Sequence, residues 1–149
     1  MTRQYRPAIL LIFSILLFTA CTRNNGNIGK QFGQWKVTDI TKNGEPVTDY
    51  SENMFWSFQN TTIEMKYLQD NHTYIDTFGN YRIMDETLFI TFPDENRPPL
   101  PGLGLKAGVE NEIQIVKLTG SEMVLAYTVS AENVNEGVAA NMILHLKKW

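Results

Sequence analysis

The chain has 149 residues, 43% hydrophobic and 19% charged, which excludes a disordered or collagen-like polymer and suits one domain with a real core. Its single cysteine excludes a disulfide framework and any Cys-rich zinc module. Thirteen basic residues against 16 acidic ones argue against the clustered positive groove that nucleic acid requires, so no nucleic-acid partner is expected.

Residues 1–20 read MTRQYRPAILLIFSILLFTA. Arg3 and Arg6 precede an almost unbroken apolar run from Ala8 to Phe18, too short to span a bilayer comfortably and laid out as a secretory signal peptide. The boundary Phe18-Thr19-Ala20-Cys21 resembles the bacterial lipobox, in which small residues precede a cysteine that becomes lipidated and opens the mature chain; Phe18 stands where Leu is usual. A plain membrane anchor, or a signal peptide followed by a free Cys21, is the bland alternative. The expected organisation is a signal peptide over 1–20, a lipidated tether over 21–30 and a folded domain over 31–149. Lipid chains at Cys21 would hold the protein to the membrane by ~0.8 kcal/mol per buried CH₂. The stretch TRNNGNIGK (22–30) is polar and Asn/Gly-rich, as suits a tether. Cleavage would remove Arg3 and Arg6 and leave 11 basic against 16 acidic residues. Thr22 lacks the aspartate that favours inner-membrane retention in some bacteria, and no acidic export patch follows Cys21. The expected location is therefore the bacterial cell envelope, on the outer membrane facing the periplasm.

From Gly33 onward the reading is all β. Strands are predicted over 35–40, 54–59, 62–68, 73–78, 81–84, 87–92, 112–118, 122–129 and 140–147, with a short helical turn possible within 134–140. Turn chemistry lies between them at Asn43-Gly44, Gln69-Asp70-Asn71, Gly79-Asn80, Asp85-Glu86 and Thr119-Gly120. Eight or nine antiparallel strands on tight turns predict an up-and-down barrel or a sandwich. Alternation gives the inward face: Met54, Trp56 and Phe58; Ile63, Met65 and Tyr67; Leu88, Ile90 and Phe92; Met123, Leu125, Tyr127 and Val129; Met142, Leu144 and Leu146. A large apolar face opposite a mixed one is the pattern of a closed sheet with an apolar interior.

Gly33-Gln34-Trp35 opens the first strand, and a G-x-W there resembles the lipocalin signature. The layout is similar to the lipocalin-like lipoproteins of Bacteroidetes: lipobox, G-x-W, an Asn-Gly turn, Phe58-Gln59-Asn60, Gly79 with Tyr81, and a late hairpin with Leu118, Met123 and Leu125. The resemblance covers about residues 30–149 and implies a calycin-like up-and-down barrel. It also implies a basic residue on the last strand lying across the signature tryptophan, which strand parity assigns to Lys148 over Trp35. That pair would close the barrel and carry no function of its own. The resemblance and the apolar face together imply a small hydrophobic ligand, with Trp56, Phe58, Met65, Tyr67, Tyr81, Tyr127 and Met142 as candidate liners. Ordinary core packing is the competing reading for each of the seven.

The sequence offers little for catalysis. His72 falls in a turn and His145 on the polar face of the last strand, neither with partners at metal-ligand spacing. Ser121 follows a turn glycine, and no nucleophile elbow, phosphate loop or dinucleotide fingerprint occurs. Asp85-Glu86, Asp94-Glu95 and Glu110/Glu112 lie where solvated charge is the normal filling. Residues 132–137 hold oxygen ligands at alternate places, which a solvated loop explains better than a weak calcium site. No enzyme activity, cofactor or metal is expected.

Residues 93–108 (PDENRPPLPGLGLKAG) hold four of the six prolines. A connection this long is usually a lid, a binding loop or mobile. Leu100, Leu103 and Leu105 would either cover the barrel mouth or contact a partner, and a stiff crossover from one side of the barrel to the other is the bland reading. The second function class is accordingly a protein–protein module of the envelope acting through this loop, with Tyr50 to Phe55 beside the opposite rim.

Overall fold

The computed structural model describes residues 29–93, 99–100, 102–130 and 139–149. The expected signal peptide, Cys21, most of the tether, the loop carboxylates Asp94 and Glu95 and the candidate calcium loop at 132–137 lie outside these residues.

The described chain is all β: β1 (Gly33–Lys42), β2 (Glu45–Pro46), β3 (Met54–Gln59), β4 (Thr62–Leu68), β5 (Tyr74–Met84), β6 (Thr87–Thr91), β7 (Glu110–Leu118), β8 (Glu122–Val129) and β9 (Ala140–Lys148). Each strand pairs antiparallel with its neighbour in the order β2-β1-β3-β4-β5-β6-β7-β8-β9, and β1 also pairs with β9. That last pairing sets Trp35 opposite Lys148 and Lys42 opposite Met142 and closes eight strands into a barrel. β2 is a two-residue return on β1 across the Asn43-Gly44 turn, whose φ angles of 54° and 85° match a primed hairpin turn.

Two β-bulges keep the apolar side chains pointing inward. Pairing steps from Val37 to Asp39 against consecutive residues of β9, so Val37 and Ile40, three apart in sequence, both reach the core. On β7 the extra residue is Val116, left exposed between Ile115 and Lys117. The resulting core joins Trp35, Trp56, Phe58, Met65, Leu88, Ile90, Phe92 and Leu144, all fully or almost fully enclosed.

The structure departs from the strand expectations at Gly79-Asn80. The turn predicted there is absent: the strands expected over 73–78 and 81–84 merge into one continuous strand, β5 (Tyr74–Met84). Gly79 serves a close approach instead. A Cβ at this position would sit 2.9 Å from the Thr91 carbonyl oxygen and 3.0 Å from the Phe92 ring, so the missing side chain lets β6 and its continuation press against β5.

The connection over 93–108 is not a crossover. It leaves and re-enters adjacent paired strands, its ends joined by a parallel bridge between Phe92 and Ala107 and by the Gly108 amide donating to the Phe92 carbonyl at 2.9 Å.

Candidate functional site

Alternating strand direction sorts the loops onto two ends. The closed end carries residues 29–32, the turns β3–β4, β5–β6 and β7–β8, and the chain terminus. The open end, the mouth, carries residues 43–53, 69–73, the described parts of 92–109, and the end of β8 beside the start of β9.

At the closed end the Trp35 ring is fully buried and its indole Nε1 donates to the Gln31 carbonyl at 2.7 Å. The Lys148 ammonium lies 4.4 Å from the Trp35 ring centroid and donates to the carbonyls of Phe32 and Lys30. Partial loss of water around this ammonium holds its pKa below the ordinary lysine value. The segment 29–32 is thereby strapped across the barrel bottom.

At the mouth, Tyr50 ties its loop to the wall. Its hydroxyl donates to the Val37 carbonyl at 2.8 Å and accepts from the Met54 amide at 3.2 Å, and burial pushes its pKa well above the ordinary phenol value. Asn53 joins β4 twice: its Nδ2 donates to the Leu68 carbonyl at 2.8 Å, and its own carbonyl accepts from the Leu68 amide at 2.9 Å. Across the mouth, Leu100 and Leu103 enter the core at 2% and 0% exposure, and Leu105 packs half-buried against it. The Tyr127 hydroxyl donates to the Leu103 carbonyl at 2.9 Å, and its burial raises its pKa too. Asn111 pins the returning chain, its Nδ2 donating to the Lys106 carbonyl and its Oδ1 accepting from the Lys106 amide, both at 2.8 Å. Gly104, at φ +66°, stands where a Cβ would be 2.4 Å from Val129.

Between these two loops lies a cleft of about 290 Å³ lined by Ile40, Val47, Asp49, Tyr50, Ser51, Asn53, Met54, Tyr67 and Gly102. Ile40 and Met54 belong to the core, so the floor of the cleft is the top of the barrel interior. The β1–β3 connection and the 92–109 loop spring from opposite sides of the eight-strand ring, and Gly102 of the latter reaches across the mouth to share this cleft with the segment around Tyr50.

The seven candidate liners occupy different depths. Trp56, Phe58, Met65, Tyr81 and Met142 are buried in the core, with the Phe58 and Tyr81 rings edge-on at 5.1 Å and Trp56 tilted against Phe58 at 6.4 Å. Tyr67 reaches the mouth cleft, and Tyr127 is taken up holding Leu103. Among the described residues, two buried polar atoms lack a hydrogen-bond partner: Trp56 Nε1 and Asn53 Oδ1. For Leu100 and Leu103 the partner-contact expectation fails on geometry, since both are enclosed and present no surface. Sequence reasoning placed Asn53 only within the rim segment Tyr50 to Phe55 and missed Val47 and Asp49; the available signal was two large residues, Val47 and Tyr50, in a polar loop that needed none for turning.

His72 is an exposed turn residue at φ +63° and His145 faces outward from β9. No group of three or more His, Cys, Asp or Glu that could hold a metal occurs among the described residues.

Residues 16–131 match the family model of the lipocalin-like domain. A lipocalin-like protein from Bacteroides uniformis superposes with a TM-score of 0.62 at 18% identity, covering 81% of this chain and 100% of that one. An uncharacterised protein from Bacteroides eggerthii gives 0.59 at 18% identity, covering 80% and 99%. No curated protein matches the chain. At these identities the solved structures speak for the fold alone.

Proposed function

Since the chain belongs to the lipocalin-like domain family, we propose that it is a non-catalytic binder of a small hydrophobic ligand, held in the bacterial cell envelope by lipid at Cys21. The observation that carries this reading is the cleft at the barrel mouth, floored by core residues and flanked by the leucine-bearing loop. A concave apolar surface with a few polar groups at its lip is the usual form of a small-molecule site. The anchored, periplasm-facing location is supported by the order of features at the start of the chain: Arg3 and Arg6, the apolar run, and Cys21 directly after Ala20.

The reading of the protein as a protein–protein module acting through residues 93–108 is weakened by the burial of Leu100 and Leu103. Catalysis finds no support in the described residues, whose outward carboxylates are solvated or paired to lysine and arginine, as in Lys36–Glu52 at 2.9 Å and Arg82–Glu110 at 2.9 Å.

The test uses the uncharged fluorophore N-phenyl-1-naphthylamine. Its emission should rise saturably on titration with purified protein at one probe per chain. Val47→Trp, which fills the cleft from a half-buried position, should weaken binding by at least about tenfold, or 1.4 kcal/mol. An emission rise that does not saturate, or one that Val47→Trp leaves unchanged, refutes the reading. For the anchor, cells fed labelled palmitate should incorporate it into the wild-type protein and not into Cys21→Ser; a wild-type chain that takes up no label refutes that part alone.

A further inference from the structure

Away from the mouth, the outer wall of the barrel carries a second concavity, a slot of about 260 Å³ lined by Gln34, Phe55, Lys66, Tyr74 and Trp149. Strand register builds it. Lys36 pairs with Phe55 and Phe55 with Lys66, and these residues alternate with the buried Trp35, Trp56 and Met65, so they point outward. Tyr74 stands one strand further on, at the start of β5. Trp149 reaches the same wall because its amide donates to the Gln34 carbonyl at 2.9 Å, one step beyond inward-facing Lys148.

Trp149 is 70% exposed, the most of any large apolar side chain among the described residues, and Tyr74 is 56% exposed. The indole is nevertheless held. Its ring meets Phe55 edge to face, with centroids 5.5 Å apart and planes at 76°, and the Lys36 ammonium lies 5.6 Å from its centroid. A large ring that is fixed in place and still wet is a contact surface already ordered before anything binds.

The lining narrows what such a slot would take. Phe55 and Trp149 form a corner and not two parallel walls, so a flat aromatic ligand has no sandwich to enter. Two ammonium groups, Lys36 and Lys66, disfavour a cation despite the rings. Their ion pairs, with Glu52 at 2.9 Å and Glu64 at 3.0 Å, leave little net charge for an anion. An alkyl chain gains from enclosure, and this groove leaves its tryptophan mostly in water. A ring that is apolar on its faces and hydroxylated around its rim meets all four conditions. Its C–H faces would lie against the exposed aromatic rings. Its hydroxyls would bond the Gln34 amide, which both donates and accepts, the Tyr74 hydroxyl, and the two protons that Lys66 has left after Glu64.

We propose that the outer-wall slot is a saccharide site, separate from the mouth cleft, which takes a pyranose ring of a neutral glycan.

The three tryptophans of the chain make the test specific: Trp35 and Trp56 are fully buried, so a small quencher in solution reports on Trp149. Acrylamide quenching of the purified protein is measured with and without cellohexaose, mannohexaose and laminarihexaose, with choline as the cationic control. At least one glycan should lower the quenching constant saturably by about twofold or more, while choline leaves it unchanged. Tyr74→Ala, at an exposed position, should weaken binding of the protecting glycan by about fivefold or more. The same change should leave N-phenyl-1-naphthylamine binding at the mouth as in the wild type. No protection by any of the three glycans, equal protection by choline, or unchanged glycan affinity in Tyr74→Ala overturns the proposal and leaves the binding role of the mouth standing. A glycan that displaces N-phenyl-1-naphthylamine places the sugar in the mouth cleft and overturns it too.

Discussion

Lys148 and Trp35 show how much a single contact carries when it closes a sheet on itself. The ammonium is placed over the ring at 4.4 Å and holds the segment 29–32 through two carbonyls, so one side chain links the last strand, the first strand and the chain entering the barrel. Lys148→Ala should lower stability by about 2–4 kcal/mol, the sum of a cation–π contact and a charged hydrogen bond, measured as a shift in the urea midpoint at unchanged slope. The signature tryptophan was legible as a fold marker, and the lipocalin resemblance, with strand parity to choose the residue, pointed to Lys148 as its partner. The tyrosines were legible only as bulk. Tyr50 and Tyr127 turn out to be hydrogen-bonded posts, and burial raises the pKa of each in the folded state. The sign follows from linkage: above the unfolded value of ~10 the unfolded chain releases these protons first, so their contribution is intact below that pH and falls as pH rises past it. Stability should therefore decline above pH ~10 in urea titrations, and Tyr127→Phe should decline less steeply than wild type over the same interval.

Among the elements, the 92–109 connection is the one whose role sequence left open. Its prolines and glycines mark a long, turn-rich segment, but whether its leucines face solvent or core depends on which strands it joins, and that is a property of closure. Because β6 and β7 are adjacent, the segment need not travel; it folds back, and Leu100 and Leu103 drop into the core. Leu103→Ala should cost about 2–5 kcal/mol, as a buried leucine does, while Leu105→Ala, at a half-buried site, should cost much less. Equal effects at the two positions would contradict this placement. The same logic explains the misread strand at Gly79-Asn80. Gly-Asn is good turn chemistry in isolation, yet here the glycine answers a crowding by Thr91 and Phe92 that sequence neighbours do not disclose. Gly79→Ala should destabilise by about 1–3 kcal/mol, the range for forced overpacking, again read from the urea midpoint. The inward faces of β3, β4, β8 and β9 were legible outright, since period-2 alternation needs no knowledge of the partner strand.

For the whole molecule, the barrel has a strapped end and a receiving end. The strap over Trp35 lies next to the start of the described chain, and the cleft lies at the far end of the same strands. Bound ligand should stabilise the fold by mass action: at a free concentration 100 times its Kd, N-phenyl-1-naphthylamine should add about 2.7 kcal/mol and raise Tm by several degrees in a thermal scan. The site was only partly legible because its lining comes from two loops and three strands, and period-2 reading finds strand interiors while remaining silent on loops. The most direct measurement is an X-ray structure of the protein bound to 8-bromo-octan-1-ol, with the bromine located by its anomalous signal. The account predicts one bromine at the floor of the mouth cleft near Ile40 and Met54. A bromine seated instead in the outer-surface slot of about 260 Å³ beside Gln34, Phe55 and Trp149 would contradict it.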